Sequence, residues 1–114
     1  MKTTLLSVFF SCFWLAMTVQ ADEMPTFKLR MKNGHFFPET VEVPANTRFR
    51  LELKNEGPGA TEFESIELKK EKVLAPGVTS NLVFFPLKPG SYKFFDDFHP
   101  NTAQGRIVAK LVAQ

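Results

Sequence analysis

An aspartate and a histidine stand three residues apart in the run Tyr92-Lys93-Phe94-Phe95-Asp96-Asp97-Phe98-His99-Pro100 of this 114-residue chain. The run reads as a strand passing into a short loop, with Gly105-Arg106-Ile107-Val108 opening a last strand. A carboxylate and an imidazole held together by such a loop are metal ligands. They suit Fe(II), Fe(III), Cu(II), Mn(II) or Zn(II) better than a soft monovalent ion. Strand alternation puts Asp96 on the face that carries Tyr92 and Phe94. If those aromatic rings point inward, the carboxylate enters the interior and requires a metal, an arginine or a proton to offset its charge. The same residues also read without a metal, as a turn-forming aspartate bonded to loop amides and a histidine packed ahead of Pro100.

Other candidate ligands are scattered along the chain. Glu62 and Glu64 share a face opposite Phe63, so with Phe63 in the core they lie outward or at a rim. There either could complete the site or belong to a solvated acidic face. Asp97 points away from Asp96 along the strand, as a rim ligand or a solvated charge. His35 precedes Phe36-Phe37-Pro38 and either approaches the same end or sits at the surface, whereas Met31 continues the Phe27 and Leu29 alternation into the core. The candidate metal set is therefore Asp96, His99, Glu62, Asp97 and His35. No residue is singled out as catalytic.

The elements that must position these groups are strands. Residues 27–31, 41–43 and 49–54 alternate apolar and polar side chains, and residues 80–85, 91–95 and 107–112 are rich in aromatic and β-branched types. Residues 62–73 begin as a strand and continue as an irregular, solvated segment. Turn signals separate them: Asn33-Gly34, Pro44-Ala45-Asn46, Asn55 with Gly57-Pro58-Gly59, Ala75-Pro76-Gly77 and Lys88-Pro89-Gly90. Short strands punctuated in this way predict an all-β antiparallel sandwich or barrel of about seven to eight strands.

Residues 1–21 predict a signal peptide: Lys2, an apolar run over residues 5–17, and the small-residue ending Val19-Gln20-Ala21. The run is shorter than the roughly 20 residues of a spanning helix, so no membrane span is expected after cleavage. Residues 22–114 form one domain whose expected location is the periplasm. The chain's single cysteine, Cys12, falls in the leader, so the exported domain uses neither a disulfide nor a thiolate. The net charge is +2, and near +1 without Lys2, which argues against a nucleic-acid partner.

Several motifs in collinear order carry a family resemblance. Phe36-Phe37-Pro38, Val41-Glu42-Val43-Pro44-Ala45, residues 51–55, Thr61-Glu62-Phe63, Pro89-Gly90-Ser91-Tyr92 and the His99 loop with Gly105 resemble the cupredoxin family from end to end. Glu62-Phe63-Glu64-Ser65 and Phe98-His99-Pro100 with Thr102-Ala103-Gln104-Gly105 look most like two iron-uptake relatives. These are the cupredoxin-like component that accompanies Ftr-type iron permeases (the FtrB type) and the cupredoxin domains of EfeO-type proteins. The resemblance implies a Greek-key sandwich with a metal site at one end, holding copper or iron. It also implies a role in ferrous-iron uptake, with Fe(II) oxidation before transfer, or else a non-catalytic copper or iron chaperone. The implied partners are an inner-membrane iron permease and other periplasmic uptake components. A blue-copper relative would supply a histidine near the mid-chain turn, then a cysteine, a second histidine and usually a methionine in the closing loop. This chain offers Thr61 or Glu62, then Asp96, His99 and Thr102, Ala103 or Gln104. Only the histidine matches, so blue-copper electron transfer is not expected.

Overall fold

The computed structural model describes residues 24–112. The predicted leader lies outside the described residues.

Among the described residues nine strands form two sheets: β1 (Thr26–Lys32), β2 (His35–Phe37), β3 (Thr40–Pro44), β4 (Phe49–Asn55), β5 (Thr61–Ser65), β6 (Lys70–Leu74), β7 (Thr79–Phe84), β8 (Gly90–Phe95) and β9 (Gln104–Lys110). One sheet runs β2-β1-β4-β7 and the other β3-β9-β8-β5-β6. The all-β expectation holds, and the strand count exceeds it because two segments pair that carry weak local signals. β2 has only three residues and forms because Asn33 (φ 51°) and Gly34 (φ 71°) make a two-residue turn that sets His35 opposite Lys32. β6 falls within the segment expected to be irregular; Lys70, Glu71 and Lys72 give it no apolar alternation, and pairing with β5 makes it a strand. The expected all-antiparallel pairing is also corrected, since β1 pairs parallel with β4 and β3 parallel with β9. Period-two alternation says which face a side chain takes and nothing about strand direction.

The core between the sheets is built from the inward residues of each alternating strand, among them Leu29, Met31, Val41, Val43, Leu51, Leu53 and Ile107, all nearly inaccessible. A chain of aromatic contacts threads it. Phe49 stacks on Phe84 with centroids 4.8 Å apart, Phe84 meets Phe63 edge-on at 6.3 Å, and Phe63 and Phe36 each approach Phe94 to 4.9 Å. Such pairs contribute roughly 0.5–1.5 kcal/mol each beyond their burial. Phe94 lies directly over Gly105, where an added Cβ would come within 2.4 Å of the ring and 2.6 Å of the Glu39 carbonyl oxygen. Glycine at 105 therefore lets the aromatic layer close against β9, just below the Asp96 loop.

Asn55 joins the two sheets at the end of β4. Its side-chain amide is fully buried and donates to the carbonyls of Gly59 and Leu74, both at 2.9 Å, while its Oδ1 accepts from the Gly57 amide at 2.7 Å. Because Leu74 belongs to β6, one side chain ties the first sheet, the 55–59 turn and the second sheet together. Asn55→Ala leaves three backbone groups without these partners and is expected to cost about 2–3 kcal/mol. Urea unfolding followed by circular dichroism measures it.

Candidate metal centre

Asp96 and His99 sit where β8 ends and the closing loop turns back toward β9. Tyr92 and Phe94 face the core, and Asp96 follows them inward and is 1 % exposed. Its carboxylate is already engaged by the loop. Oδ1 accepts the Phe98 amide at 2.9 Å, and Oδ2 lies 2.8 Å from His99 Nδ1. The Asp96 carbonyl accepts the His99 amide, and the His99 carbonyl accepts the amides of Thr102 and Ala103. This is a tight helical-type turn organised by an aspartate side chain.

The loop is also fixed from outside. Thr102 Oγ1 donates to the Gly34 carbonyl at 2.7 Å, and a Cβ at Gly34 would come within 2.8 Å of His99 Cδ2. Gly34 thus serves both the β1–β2 turn, which needs a positive φ, and the close approach of the imidazole. His35, the next residue, is exposed, with its ring tilted against Phe37 at 6.4 Å. It does not join any cluster of three or more potential ligands among the described residues.

Thr61 is on the inward face of β5 with Phe63 and Ser65 and is 1 % exposed. Its Oγ1 is a buried side-chain oxygen with no hydrogen-bond partner, the one such atom among the described residues. Such an atom is uncommon in a native interior.

Glu62, Glu64 and Asp97 gather on the other face of the same sheet. One carboxylate oxygen from each lies within 4.8 Å of the other two. Glu71 joins them through the pairing of β5 with β6, which sets it directly opposite Glu64. The ion pairs of the described residues, Arg30 with Glu56, His99 with Asp96 and Lys110 with Glu42, bring no cation to this group. Glu62 is only 3 % exposed although it lies on the outer face. Burial, chiefly, then hydrogen bonding to Glu71 and Glu64 and repulsion from both, raises its carboxyl from 4.5 to about 7. Near neutrality Glu62 is accordingly only partly ionised.

The expected ligands thus divide into two groups. Asp96 and His99 are together and bonded to one another; Glu62 and Asp97 are together on the opposite face of the sheet; His35 stands apart. Glu64, Glu71 and Thr61 complete the picture. Glu64 was legible as the i+2 neighbour of Glu62, but Glu71 enters only through strand register.

A two-sheet sandwich whose last hairpin closes through the Asp96–His99 loop defines the class of protein. The sequence profile of the cupredoxin-like domain matches residues 5–109, and the chain belongs to that family. It is 42% identical over 87 residues to an uncharacterized protein of Rickettsia prowazekii (strain Madrid E), covering 76% of this chain and 70% of the relative. Its fold is similar to that of dithionite-reduced auracyanin from Roseiflexus castenholzii, with a TM-score of 0.63, 14% identity, and 75% of this chain against 96% of the other. It is similar as well to the metal-binding domain of the Cu(I)-exporting P-type ATPase CopA of Streptococcus pneumoniae D39, with Cu(I), at a TM-score of 0.65 and 11% identity, over 75% of this chain and 84% of the other.

The closing-loop residues do not fit a blue-copper ion. Such a site takes two imidazoles and a thiolate in trigonal arrangement. Here the closing loop offers Asp96, with both oxygens bonded within the loop, and His99, whose Nδ1 is held by that same carboxylate. Among the described residues the sulfur atoms are those of Met24, which precedes β1, and Met31, which is 1 % exposed within the core, so the closing loop itself offers none to a soft Cu(I) ion. The outer carboxylates do fit a hard cation. Oxygen donors already this close need only small rotamer changes to share one ion, and the buried Glu62 carboxyl lacks a cation to offset its charge.

Proposed function

We propose that this chain is an exported iron-binding protein that serves ferrous-iron uptake, taking its cargo on Glu62, Glu64 and Asp97 and passing it to a membrane permease. The observation that carries this reading is the burial of Glu62 among carboxylates with no cation beside them. That donor set selects hard ions, and it holds Fe(III) more firmly than Fe(II). Fe(II) bound there gives up an electron more readily than in water, and the acceptor is dioxygen or a partner protein. Asp96 and His99 brace the loop that presents Asp97, and their own capacity for copper or iron is part of the same proposal. The oxygen donor set and the leader predicted over residues 1–21 favour iron handling outside the cytoplasm over the copper-chaperone reading.

Anaerobic calorimetric titration of metal-free protein with Fe(II), and separately with Cu(II), near pH 8 tests this. One iron is expected per chain. Asp97→Asn is expected to weaken it at least tenfold, while His35→Ala leaves it unchanged. Iron binding indifferent to Asp97→Asn and to Glu64→Gln would sink the proposal.

A further inference from the structure

The second sheet carries another feature on its outer face, opposite in charge to the carboxylate cluster and separated from it by Phe95, which stands opposite Glu64. Lys93 on β8 and Arg106 on β9 are direct cross-strand partners. Both are exposed, and both line a hollow of about 490 Å³ with Phe95, Gln104, Thr40 and Glu39. Like charges placed directly opposite one another on a sheet are destabilising. No ion pair among the described residues relieves this repulsion. Among the described residues neither Lys93 nor Arg106 has a carboxylate within ion-pair distance. The one side-chain contact of Arg106 is a long 3.5 Å bond from Nε to Thr40 Oγ1, which leaves its terminal nitrogens free for another acceptor.

The backbone holds the two cations in place. The Arg106 amide donates to the Glu39 carbonyl at 2.8 Å, and β8 and β9 pair over six residues from Gly90 to Phe95. Gln104 is tied to the Pro100 carbonyl at 3.0 Å, so it forms a wall and does not compete for the cations. Phe95 is half-buried and adds an apolar surface beside the charges. With Glu39 the hollow carries a net single positive charge.

We infer that Lys93 and Arg106 form a binding site for a small organic carboxylate, whose carboxyl groups bridge the two cations while its carbon skeleton lies against Phe95. The volume is that of a small-ligand pocket, for which roughly 300–1,000 Å³ is usual. A guanidinium fork takes a carboxylate in bidentate fashion, and the lysine adds a point charge from the neighbouring strand. The apolar wall favours a carbon acid over inorganic phosphate.

Citrate and inorganic phosphate, titrated separately into the metal-free protein by calorimetry at low ionic strength, test the assignment. Saturable one-to-one citrate binding is expected, with phosphate at least tenfold weaker. Lys93→Gln and Arg106→Gln should each weaken citrate at least tenfold, and Lys93→Arg should restore most of it. Lys110→Gln, at an exposed cation paired with Glu42, should change it less than twofold. Circular dichroism confirms that each variant is folded. Absence of saturable citrate binding, equal loss in Lys110→Gln, or phosphate binding as tight as citrate would each overturn the proposal. Because neither cation touches the carboxylate cluster, failure here leaves the iron-binding reading standing, and the converse also holds.

Discussion

Glu62→Gln makes the metal-free protein more stable at pH 8, by about 3–3.5 kcal/mol, while removing most of its affinity for a hard cation. The sign follows from linkage. Glu62 has a folded pKa of about 7 against an ordinary value of 4.5. Below pH 4.5 it is protonated in both states and carries no penalty. Between pH 4.5 and about 7 the folded state binds more protons than the unfolded one, so stability falls as pH rises through that window. Above pH 7 the full cost of an ionised buried carboxylate beside Glu64 and Glu71 is present, and at about 1.4 kcal/mol per pH unit this gives the magnitude. Glutamine keeps the shape and never ionises, so the slope between pH 4.5 and 7 flattens. Urea unfolding of metal-free protein at pH 5 and pH 8 measures both arms. Equal pH slopes in Glu62→Gln and the parent would show that the carboxyl is not held in this way. A cation reverses the trend, since binding requires deprotonated Glu62 and releases its proton. Metal affinity is therefore expected to climb steeply as pH rises toward 7 and to level off above it.

Asp96→Ala is expected to cost about 3–4 kcal/mol, and Asp96→Asn no more than about 1.5 kcal/mol. Alanine leaves the part-buried Phe98 amide and His99 Nδ1 without their acceptors and opens space under the loop. Asparagine retains an acceptor for Phe98, and its amide can meet an unprotonated Nδ1. The comparison separates two roles that a single truncation would confuse. If Asp96 only shapes the loop, Asp96→Asn preserves both stability and metal content; if its charge also holds a metal, stability survives and metal content falls. Thermal unfolding and metal analysis of the same samples provide the two readouts. A loss of less than about 1 kcal/mol in Asp96→Ala would contradict the account of this loop.

The closing loop is the part of the molecule where sequence and structure meet most closely. Alternation alone assigns Asp96 to the face of Phe94, and the spacing of three residues assigns His99 to the same turn. Both assignments describe local geometry, which a period of two and a tight turn control directly. What local geometry could not supply is what each group bonds to. The pairing of Asp96 with His99 depends on the β1–β2 turn pressing against the loop at Gly34, whose carbonyl accepts from Thr102 of the loop 68 residues on in sequence. The carboxylate cluster shows the same division. Glu62 and Glu64 are visibly on one face, but their approach to Asp97 and Glu71 depends on which strands flank β5. That choice is made by the sum of many weak cross-strand contacts.

By itself, then, the sequence determined an all-β domain with its inward and outward faces, a chain without cysteine beyond Cys12, so that the closing loop has no thiolate, and an inward Asp96 beside His99. Each of these is written in residue type or in short-range periodicity. Only the tertiary structure decided that β1–β4 and β3–β9 run parallel, that Glu62 is buried although it faces outward, and that Lys93 meets Arg106 across a hollow. Those features belong to pairs of strands and not to any one of them. Register and direction are set by the packing of the whole sandwich, where burial of Phe36, Phe63 and Phe94 outweighs the repulsion between like charges left at its surface.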